Sequence, residues 1–143
     1  MLDESENKKI IDDLTNEYPI FEQLEFNEFN MEDKLRVNAY LSMKYRDKAI
    51  AEKNTYDRLE LLMEKLKGQR YHYYKFEIDE QLQKSEIEQY YLPADEKIHK
   101  LKKIMLKQKV RVDFFEQAAK ALERQSWNMK NTLDSQRFGS WLD

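Results

Sequence analysis

Residues 65–76, Lys-Leu-Lys-Gly-Gln-Arg-Tyr-His-Tyr-Tyr-Lys-Phe, interleave cations with flat rings. Lys65, Lys67, Arg70 and Lys75 can neutralise successive phosphates, while Tyr71, Tyr73, Tyr74 and Phe76 offer faces on which unpaired bases stack. Stacking contributes roughly 1–3 kcal/mol per base and depends little on base identity, so this chemistry suits sequence-tolerant binding of single strands. The competing reading is structural: tyrosines at helical spacing pack against a neighbouring helix and leave their polar tips to solvent. Gly68 inside the run marks a kink or a close approach of the backbone.

A second cationic group, Lys100, Lys103, Lys107 and Arg111, falls within one narrow stripe at 100° per residue. It reads either as a second phosphate track or as a solvated face. Catalytic chemistry is not expected. No phosphate-cradling glycine loop or nucleophile elbow is present, and Glu96-x-x-His99 is half of a di-iron motif with no second half, which leaves those two as surface residues. With no cysteine there is no thiolate site, and neither a metal nor another cofactor is expected.

The elements that must carry these residues are helical. The chain has two glycines and two prolines in 143 residues, with 37% charged side chains and a mean hydropathy of −0.96. Such a composition specifies an all-α protein of long amphipathic helices with a thin core. An acidic N-terminal arm, 1–33, holds eleven acids against two bases, whereas the rest holds seventeen against twenty-three. The arm either solubilises, docks on a basic partner, or screens the cations of the body. Residues 1–17 read as poorly ordered or weakly helical, interrupted at Tyr18-Pro19, and Ile20, Phe21, Leu24, Phe26 and Phe29 form an apolar cluster.

The second segment, 34–92, begins in a helix predicted from about Met31 to Gln69 behind an Asn30 cap, with a near-heptad seam from Leu41 to Leu66. The basic-aromatic stretch follows, then a short helix that Ser85 and Glu88 would open as a capping box. The third segment, 93–143, restarts at Pro93 and carries a helix predicted over 94–137. Ile98, Leu101, Met105, Val112, Phe115, Ala119, Leu122, Met129 and Leu133, with Gln108 and Ser126 as polar interruptions, recur three and four apart along it, a coiled-coil seam assigned to oligomerisation. An extended protomer that shares this seam with other copies is the expectation. No apolar run reaches membrane-spanning length and the first residues are unlike an export signal, so a cytoplasmic protein without membrane contact is expected.

In order and spacing, Arg70-x-x-Tyr73-Tyr74, Lys84-Ser85-Glu86-Ile87, Ala94-Asp95, Phe114-Phe115, Ala118-x-x-Ala121-Leu122 and Arg137-Phe138 resemble the UvsY-type recombination mediators of T-even-like phages. The resemblance runs from about residue 34 onward. It implies a non-enzymatic protein of the host cytoplasm that forms a ring-like homo-oligomer through C-terminal helices and binds single-stranded DNA. It further implies two partners, the phage single-strand-binding protein and a RecA-like recombinase, with the mediator helping the second replace the first. The family signature places a Lys-x-Arg before x-x-Tyr-Tyr; Arg70 keeps that spacing, whereas Gly68 takes the lysine position and Lys67 lies one residue earlier. The rival function is a helical scaffold or adaptor with no nucleic-acid role.

Overall fold

The computed structural model describes residues 2–142. Its order is α1 (Glu4–Glu17), α2 (Ile20–Gln23), a 3-10 turn (Glu28–Asn30), α3 (Met31–His72), a π turn (Tyr73–Ile78), α4 (Lys84–Glu86), a second π turn (Ile87–Tyr91) and α5 (Glu96–Leu142). The described residues contain no strand. At 1.5 Å per residue α3 and α5 are about 63 and 70 Å long. A helix that long with one apolar stripe needs a partner along its length, and here α3 and α5 supply each other as an antiparallel hairpin.

The pairing can be followed rung by rung: Arg70 meets Asp95, Glu52 meets Arg111, Arg46 meets Glu123, and Glu32 meets Arg137. Between them Leu41, Tyr45 and Ala49 of α3 pack on Phe115, Ala118, Ala119 and Leu122 of α5. The arm completes this core. Leu14 and Ile20 are buried in it, Tyr18 sets its ring edge-on to Phe115 at 4.9 Å, and α1 runs beside α5 in the same direction. Asn38 is buried at the same level, donating to Gln125, which in turn donates to the Leu24 carbonyl and so ties α3, α5 and the arm together.

Three expectations change. Residues 4–17 form a regular helix, capped by Asp3, whose carboxylate accepts from the Glu6 amide at 2.7 Å. The periodic Ile10 and Leu14 that dock it were outweighed in the sequence by its high charge. The short helix begins at Lys84 behind Gln83 with no side-chain cap, so the Ser85–Glu88 box does not form. Finally, the seam assigned to contacts between copies lies inside the protomer: Ile98, Val112, Phe115, Ala119, Leu122 and Met129 are buried, and Leu101, Met105 and Leu133 half-buried. Heptad spacing states that a helical partner exists, not which chain supplies it. The partner is α3.

Because Leu14 is only 2% exposed, Leu14→Ala is expected to lower stability by about 3 kcal/mol, within the range for a leucine cut from a filled core. Urea unfolding measures it. A midpoint equal to the parent's would show that the arm is not part of the fold.

Candidate nucleic-acid interface

The basic-aromatic segment occupies the closed end of the hairpin, where the last turn of α3 widens into the π turn and the Asp79 amide donates to the Tyr74 carbonyl five residues back. Arg70 and Tyr74, four residues apart, share one helix face and meet at one point. Arg70 Nε donates to Asp95 Oδ2 at 2.8 Å, and Tyr74 Oη donates to the same oxygen at 2.6 Å. Asp95 Oδ1 accepts from the Ile98 amide at 3.0 Å, so this carboxylate also caps α5. Burial alone would raise the Asp95 pKa; the bonds from Tyr74, Arg70 and the Ile98 amide outweigh it and hold the group at about 2. The Arg70 guanidinium lies over the rings of Tyr73 and Tyr74, 4.2 and 5.4 Å from their centroids.

This clamp redistributes the expected contacts. With its side chain only 18% exposed and Nε bound to Asp95, Arg70 holds the end of the hairpin together. Tyr73 and Tyr74 pack on each other, and Tyr74 on Tyr91, each pair at 5.3 Å between ring centres. Lys75 donates to the carbonyls of Glu80 and Leu82 at 3.0 and 2.6 Å, which staples the following loop. In the second stripe, Lys103 is paired with Glu6 of the arm at 2.8 Å, and Arg111 grips Glu52 with two nitrogens at 2.7 and 3.1 Å. The ion pair with Lys103 and the charge of Lys107 keep the Glu6 carboxyl below its ordinary range. The acidic arm therefore covers part of its own chain's stripe.

Lys65, Lys67, Lys100 and Lys107 make no ion pair or side-chain hydrogen bond among the described residues. The hairpin sorts three of them onto two sides. Lys65 and Lys100 line a shallow groove of about 480 Å3 with Lys97. Lys67, Gly68 and Tyr71 line a larger one, about 840 Å3, whose opposite wall is α5 and includes His99, Lys102 and Lys109. Asp95 of the clamp and Lys102 and Lys109 of this groove wall were not singled out from the sequence. The signals were there: an aspartate three residues before the first apolar residue of a helix, in the capping position, and two lysines seven apart, which share a face. No group of histidine, aspartate and glutamate able to hold a metal occurs among the described residues, and no described helix is long and apolar enough to cross a membrane.

A helical hairpin with aromatic and basic residues gathered at its closed end defines the class to which this chain must be compared. The family described as recombination, repair and ssDNA binding protein UvsY matches residues 23–141, and the chain belongs to that family. Two crystal structures of the bacteriophage T4 recombination mediator protein UvsY share its fold. One, lattice type IV, has a TM-score of 0.74 at 20% identity and covers 90% of this chain and 98% of its own. The other, lattice type II, has the same TM-score at 21% identity, covering 90% and 96%. No curated protein matches the chain. Helix α1 precedes the stretch that the family matches.

Proposed function

We propose that this protein is a recombination mediator that binds single-stranded DNA at the closed end of its hairpin and helps a RecA-like recombinase replace the phage single-strand-binding protein. The observation that carries this reading is the family match over residues 23–141, which includes the whole basic-aromatic segment. Lys67, exposed and without a carboxylate partner among the described residues, supplies charge for the phosphates beside the ring of Tyr71. The protein performs no chemistry of its own in this scheme, needs no cofactor, and works in the host cytoplasm.

Assembly into a ring-like homo-oligomer is part of the proposal, since a weak contact per subunit becomes strong when many act on one strand. With the α5 seam filled by α3, the apolar surfaces left for other copies include Val37, Tyr40, Met43 and Ile50 on α3 and Trp127 on α5, all more than 45% exposed.

Two measurements test the function. Fluorescence anisotropy with a labelled mixed-sequence single strand is expected to show binding that weakens steeply with salt, and weaker binding to duplex of the same length. The single-strand ATPase of the recombinase, started on strands coated with binding protein, is expected to lose most of its lag when the mediator is added. A protein that neither binds strands at low salt nor shortens the lag is instead a scaffold.

A further inference from the structure

Resting on the proposed strand binding, we infer that the strand runs in the large groove between α3 and α5, with Lys102 and Lys109 of α5 as its second wall, while Arg70 positions that wall rather than holding the phosphates. The groove, about 840 Å3, is lined on its apolar side by Met63, Ile98, Met105 and Leu106. Its rim bears Lys67, Lys84, Lys102 and Lys109 against one acid, Glu88. Glu88 stands 3.9 Å from Lys84, so those two charges offset each other. Lys67, Lys102 and Lys109 remain exposed with no carboxylate partner among the described residues.

The chemistry that fits is an unpaired polyanion with flat apolar groups. Tyr71 and His99 face the groove from opposite helices, and bases placed on them leave phosphates to the lysines at the rim. Lys102 and Lys109 are two helical turns apart, about 10 Å along α5, which spaces them for separate phosphates. Gly68 adds to this surface. A side chain there would meet nothing within 4 Å, so the glycine leaves bare backbone at the α3 wall between Lys67 and Gln69.

Two observations set this groove apart from the other basic surfaces. The arm lies elsewhere, with Glu6 on Lys103, so the groove keeps its charge uncovered. The Arg70–Asp95–Tyr74 clamp fixes the first turn of α5, including Ile98 of the groove lining, relative to the last turn of α3. Loss of Arg70 would therefore loosen the groove even though the guanidinium faces Asp95.

The experiment is anisotropy titration of a labelled single strand over a salt series with full-length wild type, Lys102→Ala/Lys109→Ala, and Lys97→Ala/Lys100→Ala from the smaller groove, each also run in sedimentation velocity. The first variant is expected to bind at least tenfold more weakly at low salt, with a log–log salt slope shallower by about 1.4, the release expected for two single-strand phosphate contacts. The Lys97/Lys100 variant is expected to stay within threefold of wild type. If wild type binds no strand, the proposed function fails and the groove with it. If wild type binds and the Lys102/Lys109 variant matches it in affinity and slope, only the groove is refuted. Equal losses in both variants would mean a diffuse field rather than a path, and a smaller sedimenting species for Lys102→Ala/Lys109→Ala would make the groove a contact between copies; either overturns the inference.

Discussion

Leu122→Glu is expected to unfold the chain rather than to divide an assembly into folded subunits. Leu122 has no exposed surface and packs in the core with Phe115, Ala119, Tyr45 and Leu14. An ionised carboxylate there finds no partner, and its burial costs on the order of 5 kcal/mol, comparable with the whole stability of a domain. Circular dichroism should show loss of most helix signal at 25 °C. Tyr40→Glu, on the exposed face of α3, supplies the contrast: helix content should be kept while the sedimentation coefficient falls. A folded Leu122→Glu protein that sediments as a smaller species would return α5 to the role of interface between copies.

Removing the Asp95 carboxylate is expected to have the second largest effect. Asp95→Ala deletes the α5 cap and leaves the Arg70 guanidinium, mostly buried, without its partner. Breaking such a pair from one side costs about 3 kcal/mol, read as a lower urea midpoint. Acid dependence gives a second readout. The folded-state pKa of about 2 lies below the ordinary value of 3.8, so the unfolded chain binds the proton first as pH falls. The stabilisation is complete above pH 4 and disappears as pH drops towards 2. The gap between wild type and Asp95→Ala should shrink across that interval. A constant gap from pH 6 to pH 2.5 would mean that the ionised carboxylate is not what stabilises the clamp.

Much of the architecture was legible because helices announce themselves locally. The spacing of Leu41, Tyr45 and Ala49, and of Phe115, Ala119 and Leu122, marks apolar faces without knowledge of the fold. What the same pattern lacks is the identity of the partner, and the α5 seam was assigned to other copies for that reason. Arg70 stood out by its spacing to Tyr73-Tyr74, yet Asp95, twenty-five residues away, entered only as part of Ala94-Asp95 in the family resemblance. No periodicity links two residues across a turn. The arm was misjudged for a different reason: its charge resembles disorder, and only the docking of Leu14 and Ile20 on Phe115 reveals that a few apolar side chains suffice to hold it.

The hairpin also dictates an order of assembly in time. Its rungs join residues separated by 25 positions at Arg70–Asp95, 59 at Glu52–Arg111, 87 at Asn38–Gln125 and 105 at Glu32–Arg137. Closing the outermost rung from an unfolded chain costs about 1 kcal/mol more in entropy than closing the innermost, because the loop is some fourfold longer. Once the inner rung is made, each further rung closes only a short additional loop. Loop-closure entropy alone favours zipping from the clamp outward, which would make the end proposed to bind the strand the first part of the molecule to form. Opening in the reverse order would fray the ends of α3 and α5 at Glu32 and Arg137 while the clamp is still shut.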